Sequence, residues 1–421
     1  MAKIGFQAGD ILLPQGIDMT KWSVVACDQY TSEPEYWDAV DALVGDAPST
    51  LRLTLPEIYL EQEGVDARIQ AVNEAMQEYL KNGVLAEHKN KYLYVERTMR
   101  DGTVRPGLMG VVDLEEYDYR KGSQSLIRAT EGTVIERIPP RLRVRENAAL
   151  ELPHIMLLID DEKKTVLEPI AAKKESLSSA YDFPMMMDSG SIRGWFVDDE
   201  TAGEVTTALE KLAEPSAFDA KYQVSGKGVL LFAVGDGNHS LATAKENYEQ
   251  VKRSLSAEEA AVHPARYALV EVVNIHDDSL QFEPIHRVLF DVDAEDILAA
   301  LRREHDVAET GEGQKISYVC ASGKGELVIR DPSANLTVGT LQNFLDRYLK
   351  EKGGRVDYIH GEDVVERLGA QPGNIGFLLP NMEKNELFPT VILDGALPRK
   401  TFSMGHAYDK RFYLEVRKIQ K

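Results

Sequence analysis

The segment from Gly228 to Tyr248, GVLLFAVGDGNHSLATAKENY, constrains the fold of this chain more than any other. Its first seven residues are almost all apolar, the pattern of a short β-strand that is buried on both faces. Residues 235–238, Gly-Asp-Gly-Asn, predict a tight turn, because glycine tolerates positive φ and Asp and Asn bond their own backbone. Apolar residues then recur with helical spacing from Leu241 onward, so a helix is predicted to begin near Ser240.

A helix that begins directly after such a turn can bind an anion. The backbone N–H groups of its first turn have no partner within the helix, and the helix dipole adds about half a positive charge there. His239 supplies a hydrogen-bond donor or a proton-transfer group, and Asp236 can hold a hydroxyl or a hydrated cation. The other expected phosphate ligands of this turn are Gly235, Gly237, Asn238 and Ser240.

The same pattern also has a purely structural explanation. Short glycine turns are common between strands and helices, and Asn238 or Ser240 would then cap the helix while His239 lies on the surface. The pattern is neither a P-loop nor a dinucleotide-binding fingerprint. The residues of the turn alone therefore leave both explanations open.

Length and charge limit the classes of function. The chain has 421 residues, enough for two or three domains, and its formal net charge of −21 disfavours a general affinity for nucleic acid or anionic membranes. The N-terminus lacks a signal-peptide pattern and no apolar run is long enough for a membrane span, so a cytoplasmic protein is expected. A homo-oligomer is compatible with the sequence.

The two cysteines, Cys27 and Cys320, form neither a disulfide framework nor a metal-binding pair. Both are expected to be small buried residues, with a reactive Cys27 as the alternative.

The remaining segments predict an α/β (α+β) fold of mixed sheets with an antiparallel-rich N-terminal half. Asp101-Gly102 between two apolar runs predicts a hairpin, and residues 152–170 predict a second one. Residues 266–275 predict another buried strand, placed beside the strand at 229–234. The expected division is an N-terminal lobe, 1–215, and a C-terminal lobe with the turn, 216–421, interwoven as one unit.

Two further candidates come from charge placed near the ends of predicted elements. Asp28 follows the short apolar run WSVVAC, where a carboxylate can act as a general base or simply cap a turn. Arg141 lies among five arginines between residues 128 and 145 in an otherwise acidic chain. These arginines suit phosphate binding, although ion pairs with neighbouring glutamates explain them as well.

The turn also carries a family resemblance. Residues 236–240, Asp-Gly-Asn-His-Ser, followed by Ala242, resemble the D-G-H-H-R-x-x-A signature of the bacterial family called domain of unknown function 1015. That family is similar to the ParB/sulfiredoxin-like superfamily, which includes free-serine kinases. Asn238 stands where the signature has its first His, and Ser240 stands where it has Arg.

Other segments extend the resemblance along nearly the whole chain. Residues 130–133 resemble an H-E-[KR]-T element, 283–287 a P-T-H-R element, and 394–401 a G-x-x-M-P-x-K-S-T element, while ACDQY around Asp28 corresponds to P-P-Y-D-V. The ligand residues that the resemblance implies are Glu131, His286, Arg287, Lys400 and Thr401.

The resemblance implies a ParB/sulfiredoxin-like phosphate site that binds ADP, ATP or another nucleotide with Mg²⁺. The leading hypothesis is phosphoryl transfer to a small hydroxylated metabolite such as a free amino acid, with Asp28, Asp236 and His239 as catalytic residues and Asp236 as the metal ligand. The first alternative is a regulatory protein that senses a nucleotide without turnover. The second is a protein in which the turn only supports the fold.

Overall fold

The computed structural model describes residues 4–31, 33–133 and 135–421, and no helix within these ranges is both long and apolar enough to cross a membrane. The strands before residue 281 are β1 (Phe6–Gln7), β2 (Gly9–Pro14), β3 (Val24–Val25), β4 (Leu85–Lys91), β5 (Leu93–Thr98), β6 (Val104–Asp113), β7 (Tyr117–Asp118), β8 (Ile127–Ala129), β9 (Leu150–Glu151), β10 (Met156–Ile159), β11 (Ser178–Pro184), β12 (Ser191–Phe196), β13 (Phe232–Asp236) and β14 (Tyr267–Asn274). The later strands are β15 (Phe282–Pro284), β16 (His286–Phe290), β17 (Val307–Ala308), β18 (Gln314–Cys320), β19 (Gly323–Ile329), β20 (Arg355–Ile359), β21 (Asn374–Leu378), β22 (Phe402–Met404), β23 (Phe412–Tyr413) and β24 (Arg417–Lys418).

The α-helices are α1 (Met19–Trp22), α2 (Pro34–Val44), α3 (Val65–Lys81), α4 (Ile138–Arg145), α5 (Glu168–Lys173), α6 (Asp199–Leu212), α7 (Pro215–Tyr222), α8 (Asn238–Lys252), α9 (Ala257–Ala261), α10 (Ala294–Glu304), α11 (Thr337–Lys352), α12 (Glu362–Gly369) and α13 (Lys384–Asp394). Short 3₁₀ helices lie at Thr50–Arg52, Glu57–Tyr59, Leu114–Glu116, Ile135–Arg137, Lys174–Ser176, Pro264–Arg266 and Ala407–Asp409.

The chain divides into two compact units. Unit 1 contains the residues up to Leu280 together with His406–Lys421, and unit 2 is Gln281–Gly405. This division differs from the one expected between residues 215 and 216, a point that lies inside α7 and within unit 1. The end of the chain belongs to unit 1 because β23 pairs with β3 and β24 pairs with β9, and such long-range pairings have no local sequence signal.

A mixed ten-stranded sheet forms the centre of unit 1, in the order β11-β12-β5-β6-β14-β10-β13-β8-β7, with β1 paired to β6. The hairpin predicted around Asp101-Gly102 is confirmed as the antiparallel pair β5–β6. Around β13 the pairing is mixed, since β8 is parallel to it and β10 is antiparallel. The predicted α/β (α+β) class with mixed sheets is therefore confirmed.

Two local predictions are wrong. Residues 165–170 do not form a strand paired with β10; instead α5 begins at Glu168, after the Asp161 side chain has accepted hydrogen bonds from the amides of Thr165 and Val166. The strand predicted at 266–275 exists as β14, but it does not lie beside β13, because β10 lies between the two strands.

Apolar side chains cover both faces of the large sheet. Along β6, Leu108 and Val112 belong to one apolar cluster, whereas Met109 and Val111 belong to another. Successive side chains of a strand point to opposite faces, which explains why these strands are almost continuously apolar. Helix α8 packs through Leu241 in the same cluster as β13, so its first turn is held at the end of that strand.

Unit 2 contains a six-stranded sheet in the order β17-β19-β18-β21-β16-β20, in which all pairs are antiparallel. Strands β15 and β22 form a separate antiparallel pair.

Candidate functional site

The predicted strand, turn and helix are confirmed around Gly237. Strand β13 ends at Asp236, Gly237 is the N-cap residue in the left-handed conformation with φ +80°, and α8 begins at Asn238. The helix thus starts two residues before the expected Ser240. Gly237 offers no side chain to cap the helix, and its own N–H donates to Asp236 Oδ1 at 2.9 Å. One amide of the turn is therefore already used by the protein.

Glycine is required at position 237 for two separate reasons. Its φ lies in the region that disfavours side chains, and a Cβ atom there would lie 3.0 Å from the Cα of Ile155. The turn is thus pressed against the segment that precedes β10, and this contact brings α8 close to His154.

The Gly237→Ala substitution is expected to lower the free energy of unfolding by about 2–3 kcal/mol, since left-handed strain adds to overpacking. The matched control is Gly64→Ala, at the N-cap of α3, where φ is +83° and nothing lies within 4 Å of the added Cβ. The Gly64→Ala substitution should lower the free energy of unfolding by about 1–2 kcal/mol. Urea unfolding monitored by tryptophan fluorescence measures both, and equal losses would contradict the close contact with Ile155.

Asn238 joins the turn to the segment that follows β8. Its side-chain oxygen accepts from the amide of Thr130 at 3.2 Å, and its side-chain nitrogen donates to Thr130 Oγ1 at 3.3 Å. Thr130 Oγ1 also donates to the carbonyl of Val234 at 2.6 Å. Glu131, the next residue, is half-buried.

A buried histidine, His154, connects Ser240 and Asp28. His154 Nε2 lies 3.2 Å from Ser240 Oγ and 3.7 Å from Asp28 Oδ2, while Nδ1 lies 2.9 Å from the hydroxyl of Tyr413. The Tyr413 oxygen also accepts from the amide of Cys27 at 3.2 Å. A carboxylate, an imidazole and a hydroxyl thus meet at the first turn of α8.

The protonation states in this cluster follow from its burial. Burial and the neighbouring Cys27 raise the pKa of Tyr413 well above its usual range, so its hydroxyl keeps its proton. The hydroxyl can donate that proton to Nδ1 of His154, and Nε2 of the same ring faces Asp28 and Ser240. Burial acts to raise the pKa of Asp28, but His154, Gln29 and Lys410 outweigh it and lower that pKa below its usual value.

Cys27 is not an activated nucleophile. Burial and the neighbouring Asp28 raise the pKa of its thiol to about 12, so the thiolate is scarce at neutral pH. Cys27 is partly buried rather than buried as expected, and its raised pKa does not favour the alternative of a reactive thiol.

Asp236 faces a lysine from the end of the chain. Its Oδ2 atom lies 3.3 Å from Lys410 Nζ, and both side chains are largely buried. Mg²⁺ normally binds one or two carboxylates together with substrate phosphates and water. Asp236 would supply one carboxylate, whose two oxygens already contact Lys410 and the amide of Gly237. Among the described residues, the group of three possible metal ligands lies elsewhere, at Asp160, Glu162 and His276, where Lys221 already lies 2.9 Å from Asp160.

Two buried arginines hold the segment that supplies Lys410. Arg97 on β5 and Arg105 on β6 stand directly opposite each other, and they donate to the carbonyls of Tyr408 and Asp409, each at 3.1 Å. Burial and Arg105 lower the pKa of Arg97 to about 9. The position of Lys410 thus depends on side chains some three hundred residues earlier in the sequence.

A cavity of about 140 Å³ lies beside the first turn of α8. Cys27, His154, Ser240 and Tyr413 line one part of it, while aliphatic side chains form much of the remaining wall. His239 is half-buried and is not among the lining residues, and its carbonyl accepts from Thr243 Oγ1 at 2.7 Å.

The arginines near α4 mostly make ion pairs. Arg141 lines the cavity but pairs with Glu57 and donates to the carbonyl of Arg137 at 2.8 Å. Arg143 pairs with Asp66. Ion pairing, the alternative left open by the sequence, thus describes these two arginines in the structure.

Four of the predicted ligand residues belong to unit 2. His286 is buried and its Nδ1 accepts from the amide of Leu379 at 3.1 Å. Arg287 is fully buried and donates to the carbonyls of Lys400 and Arg399 at 3.0 and 2.9 Å. Lys400 is exposed at φ +55°, and Thr401 is buried and donates to the carbonyl of Pro398 at 2.6 Å.

Sequence reasoning missed His154, Lys410 and Tyr413. The sequence contains a signal for His154. This polar residue follows Pro153 and directly precedes an apolar run, so it is placed at the end of a predicted strand. No local signal existed for Lys410 and Tyr413, because their place depends on the pairing of β23 with β3.

The chain matches, over residues 12–348, the family described as protein of unknown function (DUF1015). Among solved structures it is similar to a free serine kinase in complex with AMP, with 10% identity, a TM-score of 0.38, and coverage of 74% of this chain and 90% of that chain. A variant of a free serine kinase in complex with ADP gives 10% identity, a TM-score of 0.39, and coverage of 74% and 91%. A conserved hypothetical protein from Pyrococcus furiosus gives 9%, 0.36, and coverage of 74% and 94%. No curated protein matches the chain.

Proposed function

The chain belongs to the DUF1015 family, and we propose that its unit 1 binds a nucleotide or another phosphorylated ligand at the start of α8 and transfers a phosphoryl group to a small hydroxylated metabolite. The observation that carries this proposal is the meeting of Asp28, His154 and Ser240 at the first turn of that helix. Phosphoryl transfer depends chiefly on positioning and on neutralising charge, and this corner of unit 1 provides groups for both.

Each group has a role that follows from its place. The amides of the first turn of α8 and Lys410 face the phosphates, and His239 stabilises their charge. Asp28, ionised at neutral pH, accepts the proton of the acceptor hydroxyl, while Nε2–H of His154 orients it. Asp236 holds Mg²⁺, which supplies further neutralisation of the phosphates when it is bound.

The proposed phosphoryl transfer needs no oxidant or reductant. The acceptor oxygen forms a bond to the transferred phosphorus, and the bond from that phosphorus to the bridging oxygen of the nucleotide breaks. The shortened nucleotide leaves with the electron pair of the broken P–O bond, and the hydroxyl proton passes to Asp28.

Calorimetric titration with ADP, ATP and CTP in the presence of Mg²⁺ tests the binding step. We expect at least one of them to bind, and His239→Ala to weaken its affinity by about tenfold, equivalent to about 1.4 kcal/mol. His88→Ala, on β4 and in ring contact with Phe196, is the matched control and should change affinity by less than about twofold. Absence of binding, or equal affinities for the two variants, would remove the basis of the proposal.

The second candidate is a nucleotide-sensing protein without turnover. It is favoured by the two positions at which the chain departs from the family signature, since the Asn238 amide bonds Thr130 and the Ser240 hydroxyl bonds His154. Incubation with nucleotide and a panel of hydroxylated metabolites separates the candidates. Formation of phosphorylated product over many turnovers would eliminate the sensor.

A further inference from the structure

The wall of the cavity beside α8 suits the aliphatic part of a ligand. Its apolar lining comes from separate parts of unit 1, including Leu55, Met76, Val144 and Ala148. At about 140 Å³, it is close in size to the cavities of ~150 Å³ that hold one benzene molecule. Its occupant would therefore have roughly six to eight non-hydrogen atoms.

One part of the cavity suits a hydroxyl group. His154 and Ser240 line it, and their Nε2 and Oγ atoms lie 3.2 Å apart. Asp28 does not line the cavity, but its carboxylate lies 3.7 Å from the same Nε2 atom. A hydroxyl placed there would lie beside the base that we assign to phosphoryl transfer.

Another part of the cavity wall contains an arginine with a hydrogen-bond donor that has no acceptor among the described residues. Arg145 pairs with the buried Glu151, and Glu151 also accepts from Arg417 Nε at 2.6 Å, so two guanidinium groups share one carboxylate. The Nε atom of Arg145 is buried without a hydrogen-bond partner in the described part of the chain. A buried donor of this kind favours a ligand that brings a negatively charged acceptor.

The remaining charged residues of the wall do not favour a second positive charge on the ligand. Glu57 and Glu151, the carboxylates that line the cavity, are already paired with arginines. An ammonium group would lose its hydration against the aliphatic wall without gaining an unpaired carboxylate.

We infer that this cavity receives the phosphoryl acceptor and that the acceptor is a short aliphatic hydroxycarboxylate. This inference rests on the proposed function and narrows it. The carboxylate of the acceptor meets Arg145, its carbon chain packs against the aliphatic wall, and its hydroxyl lies at His154 and Ser240. The hydroxyl oxygen bonds to the phosphorus of a nucleoside di- or triphosphate, the shorter nucleotide leaves with the electron pair of the broken P–O bond, and the proton passes to Asp28.

The test uses full-length protein and measures acceptor binding and nucleotide binding separately by calorimetry. The probes are 3-hydroxybutyrate and 2-hydroxyisovalerate, with L-serine as the comparison that carries an ammonium group. We expect either hydroxy acid to bind more tightly than serine, and ³¹P NMR with nucleotide and Mg²⁺ to show its phosphate ester.

The matched variants are Arg145→Met and Arg143→Met, from the same helix. Arg145 lines the cavity, whereas Arg143 is half-exposed and pairs with the exposed Asp66. Arg145→Met should weaken hydroxy acid binding by about tenfold, and Arg143→Met by less than about twofold. Glu151 keeps Arg417 as a partner, so Arg145→Met retains a paired carboxylate and should fold. Nucleotide affinity should stay within about twofold in both variants.

The outcomes distinguish the two levels of the proposal. If nucleotide binds but neither hydroxy acid does, if serine binds more tightly, or if the two arginine variants bind the hydroxy acid equally well, the inference is overturned while the proposed function stands. If no nucleotide binds, the proposed function fails, and the titration of nucleotide-free protein still decides whether the cavity takes a hydroxycarboxylate.

Discussion

Replacing Arg411 with methionine is expected to lower the free energy of unfolding of unit 1 by about 3–5 kcal/mol. The Arg411 side chain is buried, lies 2.9 Å from Glu271, and also pairs with Glu415. Both carboxylates are almost fully buried, at 1% and 0% residue exposure. Removing the guanidinium would leave two negative charges without their cation in a low-dielectric interior, which explains the size of the expected loss.

Urea unfolding monitored by tryptophan fluorescence measures this loss of stability in unit 1. All three tryptophans belong to unit 1, namely Trp22, Trp37 and Trp195. The control is Arg120→Met, whose side chain is 82% exposed and pairs with Asp118, so it should lower the free energy of unfolding far less than Arg411→Met does. Similar losses for the two variants would show that the buried charges are compensated in another way.

The Asp28→Asn substitution is expected to lower turnover about 10²–10⁴-fold while leaving nucleotide affinity nearly unchanged. Asparagine keeps the shape of the side chain but cannot accept the proton of the acceptor hydroxyl. Because the pKa of Asp28 lies below its usual value, the wild-type rate should persist into mildly acidic solution and fall only as pH drops through that pKa. The acidic limb of the pH–rate profile should be absent or displaced in the variant.

The measurement combines steady-state phosphoryl transfer with calorimetric titration of the nucleotide. Asp199→Asn is the control, since the Asp199 side chain is 96% exposed at the start of α6. It should retain turnover within about twofold. A loss of nucleotide affinity equal to the loss of turnover would assign Asp28 to binding rather than to proton transfer.

Local sequence patterns were sufficient to predict the elements whose ends are determined by residues within a few positions. The apolar run of β13, the left-handed glycine and the stripe of α8 are short-range features, so the strand, turn and helix could be predicted. The strand nevertheless begins at Phe232 rather than Gly228, and the helix begins two residues before Ser240. The β5–β6 hairpin followed from Asp101-Gly102 in the same way. The prediction of the second hairpin was wrong because the Asp161 side chain accepts hydrogen bonds from the amides of Thr165 and Val166, after which the chain enters α5.

The candidate site could be predicted only in part. The sequence predicts Asp28, Asp236 and Ser240 as candidates from their places at the ends of strands and in the turn. Their partners His154 and Lys410 were not, although these residues determine how the carboxylates are oriented and charged.

The family, the fold class and the glycine turn before α8 therefore follow from the amino-acid sequence, because they depend on composition, periodicity and backbone conformation over a few residues. Which side chains meet at that turn depends instead on contacts between distant parts of the chain. The pairing of β23 with β3 and the bonds from Arg97 and Arg105 bring residues 408–413 back to the site from the far end of the chain. Contacts over such separations depend on the packing of the whole unit, which no short stretch of residues encodes.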